Sequence, residues 1–360
     1  MASTEPSASA SAPAPVPGAD LKFGSARILA RVVGRAVSNA VRARVGRFRG
    51  WPNDALLVAE PLALAEDKTE RLRRIYANAT RDVWDGPAIF RDAVAKHGGI
   101  QLSREKRLAL AHPITMLMWG ELAAWIVAAE LAERLEDPDA KLAASSQVFD
   151  EARHFYVLRD YLALLHVPAP KLDPYFAIGV RRLLATHDLT VKLFAMQLLA
   201  EGTAMVIFRF LADAKVEPVL TEILPYIERD EARHVGLGVM YLPERLRERP
   251  VKELLKIRSI TYGIGDLFGA TQIRYVHHYA ALGADPRELF RRADKMLYEL
   301  SQKIGPIPGT DLEFFPVNPT KSASYEANLD LILPPPGKER GLLGRAIRRT
   351  IELGARVLPA

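Results

Sequence analysis

At 360 residues, with 49% hydrophobic and 26% charged residues and a formal net charge of +6, the chain is long enough to bury a large core. It has no cysteine, which excludes disulfides, iron–sulfur clusters and thiol chemistry within the chain. No uninterrupted run of 18 apolar residues occurs, and no secretory apolar segment follows Met1, so neither a spanning segment nor an export signal is expected.

Long segments with helical periodicity dominate, and alternating Val/Ile-rich strands are lacking, so the predicted class is all-α. Residues 1–20 form an Ala/Ser/Pro-rich tail expected to be disordered. A basic amphipathic segment follows at 21–50, predicted helical over 21–48. A helical domain is expected over 51–304. Its helices are placed at 60–84, 86–97, 113–136, 139–166, 187–214, 217–243, 250–283 and 286–303, and the third to sixth of these form a four-helix bundle. Pro225 is expected to kink the last bundle helix. Residues 305–337, with Pro-Ile-Pro-Gly and Pro-Pro-Pro-Gly, read as an extended wrap. The segment 338–360 reads as a basic helix over 341–358.

The pentapeptide Asp-Glu-Ala-Arg-His occurs at 150–154 and again at 230–234. Each copy contains Glu-x-x-His, and each is preceded by an acid 30 positions before its Glu: Glu121 before Glu151, and Glu201 before Glu231. On a helix, i and i+3 share a face, so Glu151 and His154 point the same way, as do Glu231 and His234. Asp137-Pro138-Asp139 reads as a turn between helices, with Pro138 at a first helical position. At ~1.5 Å per residue, Glu121 and Glu151 lie at matching heights above that turn, on antiparallel neighbours. Lys215-Val216-Glu217-Pro218 serves the second hairpin in the same way. Four carboxylates and two imidazoles thus meet at one level of a bundle core, the donor set for two metal ions. Apolar residues flank Glu121 and Glu201, and a buried carboxylate is costly unless it is paired or binds metal.

This duplicated motif resembles the di-iron carboxylate proteins of the ferritin-like superfamily. It is most similar to the branch of soluble acyl-carrier-protein desaturases and bacterial hydrocarbon monooxygenases, over roughly residues 110–245. The resemblance implies a ferritin-like four-helix bundle with flanking helices and an extended C-terminal wrap. It implies Glu121 and Glu201 as terminal ligands, Glu151 and Glu231 as bridges, and His154 and His234 as one ligand to each iron. Asp150 and Asp230 match the acids that hold the imidazoles, and Arg153 and Arg233 the buried arginines beside them. A ligating imidazole needs an acceptor on its other nitrogen to fix its tautomer, which is the role expected of those acids. There are departures. Ala204 and Met205 stand where the desaturases carry a hydroxyl, leaving Thr203 as the nearest one. Leu158 replaces the radical Tyr of ribonucleotide reductase small subunits, and Ile227 the third His of arylamine oxygenases.

The function expected from this pattern is a di-iron oxidoreductase. It would use dioxygen to hydroxylate or desaturate an organic substrate, apolar or acyl by the residues around the site. Fe/Fe is favoured, with Mn/Fe as the alternative. Electrons would come from an external donor or the substrate, because no cysteine-rich module is present. An iron-handling ferroxidase or storage protein, and a metal-free structural relative, are the competing readings. Glu151, Glu231 and Thr203 are the residues expected to act in catalysis, and Gln147, one turn before Glu151, is placed facing the open side of the site. Trp119, Trp125, Phe194, Met196, Met205 and Phe208 are read as core or cavity wall, His187 as opening the third bundle helix, and His277-His278 as surface or core edge.

The basic charge is concentrated in the tails: +8 over 21–50, +4 over 338–360, and −6 elsewhere. Leu29, Val32, Val33, Ala36, Val37, Ala40 and Val41 form one apolar stripe; Leu343, Ala346, Ile347 and Ile351 form another. Three readings apply: helices packed on the body, contact with a membrane surface or acidic partner, and a transit peptide. Nucleic-acid binding is not expected, because no aromatic residues interleave with the basic ones. A cytoplasmic protein, peripheral to a membrane if the tails bind lipid, fits these features; a homodimer is left open.

Overall fold

The computed structural model describes residues 67–358, except 317, 321 and 323. The predicted tail, the basic helix at 21–48 and the start of the helix at 60–84 lie outside the described residues. Eleven helices are present among those described: α1 (Asp67–Arg81), α2 (Gly86–His97), α3 (Arg104–Arg134), α4 (Pro138–Leu164), α5 (Pro174–Ala185), α6 (Leu189–Asp213), α7 (Pro218–Arg247), α8 (Val251–Ala281), α9 (Pro286–Ile304), α10 (Tyr325–Ile332) and α11 (Leu342–Val357). The fold class is as expected, an all-α bundle with flanking helices.

Acid–proline pairs start four of these helices. Asp137, Asp173 and Asp285 accept backbone N–H bonds at their helix starts, and each is followed by Pro at the first helical position. Glu217 does the same for α7: its Oε2 accepts from Leu220 N at 2.8 Å, and from Tyr161 Oη of α4 at 3.0 Å. That cap is fully buried, so it fixes the second hairpin against the first. The α3–α4 and α6–α7 hairpins form the bundle. Its interior is a continuous apolar core that includes Leu110, Ile114, Val127, Leu131, Leu158, Leu198 and Phe208. Each fully buried side chain of this size contributes about 1.5–3 kcal/mol.

Several elements differ from the sequence reading. Helix α3 begins nine residues earlier than expected, running through Pro113. Helix α5 was not expected at all. Helix α10 interrupts the extended segment 305–337. Helix α6 is not uniform: Leu193–Ala200 is a π-helix, ending where Glu201 begins. Gly238 of α7 packs against this turn, where a Cβ would lie 2.6 Å from Gln197 Cβ.

Trp119 and Trp125, read as core or cavity wall, are 42% and 37% exposed. Ile126 of α3 and Leu142 and Phe149 of α4 are exposed as well. His278 stacks between His112, at 3.9 Å, and His277, at 3.8 Å, at the edge of the core. Burial and the neighbouring rings push its pKa down to about 3. Helices α3 and α6 are long and apolar enough to cross a membrane, but their most apolar stretches are 61% and 78% buried within the fold. Each also carries a buried Glu, 121 and 201.

Candidate metal centre

Glu121 comes from α3, Glu151 and His154 from α4, Glu201 from α6, and Glu231 and His234 from α7. All six are buried. Their donor atoms converge as two overlapping groups, each with its atoms within 4.8 Å of one another. One group is Glu121, Glu151, His154 and Glu231; the other is Glu151, Glu201, Glu231 and His234. Glu151 and Glu231 belong to both. The structure therefore brings together every ligand that the duplicated motif pointed to.

The imidazoles face the carboxylates through Nδ1. His154 Nδ1 lies 3.3 Å from Glu121 Oε2, 3.1 Å from Glu231 Oε1 and 3.7 Å from Glu151 Oε2. His234 Nδ1 lies 3.0 Å from both Glu151 Oε1 and Glu231 Oε2. One ring nitrogen carries at most one proton, so it cannot satisfy several carboxylates by hydrogen bonding. Glu151 Oε2 and Glu231 Oε1 are buried and accept no hydrogen bond. A cation among these atoms would satisfy them all, and carboxylate and imidazole donors suit iron or manganese.

The opposite ring nitrogens are held by a crossed arrangement. His154 Nε2 lies 3.1 Å from Asp230 Oδ2, and His234 Nε2 lies 3.3 Å from Asp150 Oδ2. Each pentapeptide thus orients the imidazole of the other copy. The arginines close the network. Arg153 Nη2 donates to Asp230 Oδ2 at 2.7 Å and also to Asp150. Arg233 Nη2 donates to Asp150 Oδ2 at 2.9 Å and to Asp230 Oδ1 at 2.7 Å. Trp84 Nε1 donates to Asp230 Oδ2 at 2.7 Å, and the Arg153 guanidinium lies 4.8 Å from the Trp84 ring centroid. Trp84 is 146 residues from Asp230, and nothing in the sequence marks it as part of the site.

Gln147 does not face an open side. It is fully buried, donating from Nε2 to Glu151 Oε1 at 2.9 Å and Glu201 Oε1 at 2.8 Å, and its Oε1 accepts from Gln197 Nε2 at 2.7 Å. Gln197 stands one turn before Glu201, as Gln147 stands one turn before Glu151; that shared offset is the signal that could have identified it. It lies on the π segment, and π turns often mark functional sites.

Electrostatics point the same way. Burial, reinforced by the Glu231 carboxylate, holds Glu121 well above the usual carboxylate range. Burial and the charges of Glu151 and Glu231 do so for Glu201. Burial would lower both imidazoles, yet the Asp230 bond raises His154 well above its ordinary pKa, and the Glu151 and Glu231 charges raise His234. The site strongly favours positive charge at its centre.

A cavity of about 60 Å³ reaches the centre, lined by Glu121 and Glu201 with Met116, Phe176, Met196 and Phe268. A second cavity, of about 510 Å³, shares Thr203, Ile207, Phe268 and Gln272 with the first. Thr203 therefore stands where the two meet. Phe194 and Phe208, read as core or cavity wall, are buried in the core.

The crossed acids lead to a direct expectation. Asp150→Asn and Asp230→Asn should each keep the fold and weaken metal affinity about 10–100-fold, because each releases an imidazole of the opposite copy. Titration with ferrous ion under anaerobic conditions measures this; wild-type affinity in both variants would remove these acids from the site.

A scan of the sequence against family models finds no match, and a search of curated proteins finds none either. Solved structures do match. An R2-like ligand-binding oxidase variant with an aerobically reconstituted Mn/Fe cofactor superposes with a TM-score of 0.50 at 20% identity, over 65% of this chain and 93% of that one. A variant with an aerobically reconstituted Fe/Fe cofactor gives 0.51 at 18% identity, over 65% and 93%. An R2-like ligand-binding oxidase with an aerobically reconstituted Mn/Fe cofactor gives 0.50 at 18% identity, over 66% and 94%. At these identities the likeness shows a shared helical-bundle fold.

Proposed function

We propose that this chain is a di-metal oxidase that uses dioxygen to oxidise an apolar or acyl substrate. The observation that carries this reading is the convergence of six buried donors into two overlapping groups that share Glu151 and Glu231. In this reading Glu121 and Glu201 each hold one ion, Glu151 and Glu231 serve both, and His154 and His234 bind one each through Nδ1. Fe/Fe is favoured, with Mn/Fe as the alternative; both cofactors occur in the structural neighbours. Two such ions supply redox equivalents and a binding place for dioxygen.

The chain's own residues supply the rest. Asp150, Asp230, Arg153 and Arg233 fix the imidazoles. Gln147 holds both Glu151 and Glu201, and Gln197 holds Gln147. Met116, Met196, Phe176 and Phe268 exclude water from the small cavity, and the larger one offers room for an apolar chain. Thr203 carries the one hydroxyl on the inner cavity wall, placed to hold a proton beside Glu201. With no cysteine in the chain, electrons beyond those of the substrate come from a separate donor. The duplicated motif favours hydroxylation or desaturation over iron storage, since the inner cavity leads from the donor cluster to a pocket of substrate size.

The experiment is oxygen uptake. Protein loaded anaerobically with ferrous ion, or with manganous and ferrous ions together, is mixed with dioxygen while uptake and the optical spectrum are followed. Uptake in proportion to bound metal, changed by long-chain acyl compounds, is expected. Loaded protein that consumes no more oxygen than free metal would sink the proposal.

A further inference from the structure

Helix α11 is apolar on two faces, although its sequence reads as a single stripe. The inner face is tied to the body. Ile351 lines the larger cavity, and its carbonyl accepts from Tyr175 Oη at 2.8 Å. Glu352 pairs with Arg274, and Gly344 is buried against the Leu331 carbonyl. The other face is open. Leu342 is 80% exposed, Leu343 58%, Leu353 49% and Val357 82%. At 100° per residue, all nine exposed helical residues fall within an arc of about 160°. Arg345, Arg349 and Arg356 occupy one edge of that arc; Leu342, Ala346, Leu353, Val357 and Leu343 take the rest, with Thr350 between the last two.

Scattered exposed leucines are ordinary, but five apolar residues gathered on one face, with three arginines along one edge and a single threonine among them, are not. Beside the start of the helix is an open groove of about 830 Å³, walled by Lys338, Arg340, Arg345, Arg348 and His277, with Asp285 and Glu339 as its acids. Among the described residues, Lys338, Arg340, Arg345, Arg349 and Arg356 enter no ion pair; Arg340 and Arg345 donate only to backbone carbonyls. These cations are thus free to meet anions from outside.

We propose that α11 and the adjoining basic groove form a docking surface for an anionic lipid bilayer. Phosphate groups alone would satisfy the arginines, but the leucines need an apolar layer immediately next to those phosphates. A bilayer interface offers both at that spacing. Nucleic acid offers bases for stacking instead, and no aromatic side chain stands on this face. Docking would place the helix that walls the larger cavity, through Ile351, against the lipid. The docking itself does not depend on the metal assignment.

The test is sedimentation of the full-length protein, metal-free and metal-loaded, with vesicles of phosphatidylcholine with or without phosphatidylglycerol. Binding is expected only with the anionic lipid, at low salt, and weakened at high salt. Replacing Arg345, Arg349 and Arg356 together by Gln should lower the partition coefficient about 100-fold. Replacing Leu342, Leu353 and Val357 together by Ser should lower it at least about ten-fold, with little change in melting temperature because Leu342 and Val357 are almost fully exposed and Leu353 is about half exposed. Both effects should appear with and without metal, so a failed oxidase reading leaves this result standing. Wild-type binding in both variants would assign the lipid contact to another segment, such as 21–50, and overturn the proposal. So would absent binding, whether the Ser variant lowers the melting temperature, which marks a face covered by the chain itself, or abolishes self-association, which marks a second copy as its partner.

Discussion

Glu151→Ala and Glu231→Ala are each expected to empty both metal positions, whereas Glu121→Ala and Glu201→Ala should each empty one. The difference follows from geometry, because Glu151 and Glu231 contribute donor atoms to both groups while Glu121 and Glu201 contribute to one each. Wild-type protein loaded anaerobically with ferrous ion should hold about two ions per chain, as bundles with this donor set do. Elemental analysis after desalting should then find roughly none in the shared-ligand variants and about one in the others. Removing a carboxylate from a metal-free core also relieves a crowded cluster of four buried acids, so these variants should remain folded, which circular dichroism checks. Equal metal loss in all four variants would show that the two groups act as a single site. Full occupancy in Glu151→Ala and Glu231→Ala would refute the di-metal assignment altogether.

Arg153→Ala should cost more stability than any other single change in the site's surroundings. Arg153 is 3% exposed and bonds to both Asp150 and Asp230, with its guanidinium against the Trp84 ring. Its loss leaves Asp150 with Arg233, and Asp230 with Arg233 and the more distant Arg229, 3.7 Å away, as guanidinium partners. Breaking a buried ionic network by removing one partner costs about 3–5 kcal/mol. For a fold of this size that corresponds to a drop of roughly 4–8 °C in melting temperature. Arg153→Lys should fall in between, because it retains the charge but loses the flat guanidinium that lies against the Trp84 ring. The effect should be present in metal-free protein, which separates it from loss of metal. A shift below about 1 kcal/mol in scanning calorimetry would show that Arg233 alone neutralises both acids.

The ligand set was legible because it is local and repeated. Glu-x-x-His fixes two donors on one helical face, and the Pro138 and Pro218 turns fix the height of the facing Glu. The same acid–proline signal stands at Asp173-Pro174, where it starts α5, but the stretch behind it is only 12 residues long and bears no ligand motif, and α5 was not anticipated. Gln197 shares with Gln147 an offset of one turn from a ligand, yet its place in the site depends on a π turn that no spacing rule encodes. Trp119 and Trp125 misled for the opposite reason: large apolar side chains near a buried Glu read as core, although here they point away from it.

The sequence by itself determined the helical class, the two hairpins, the six donors and their common level, since each follows from helical period and from residues close together in the chain. Tertiary structure decided which partner each group meets. It crossed Asp150 to His234 and Asp230 to His154, and brought Trp84 to Asp230 over 146 positions. It also divided the apolar residues of α11 between the body and the outside. A periodic pattern states which face of a helix is apolar; only the packing of the other helices states what that face meets, or whether it meets anything.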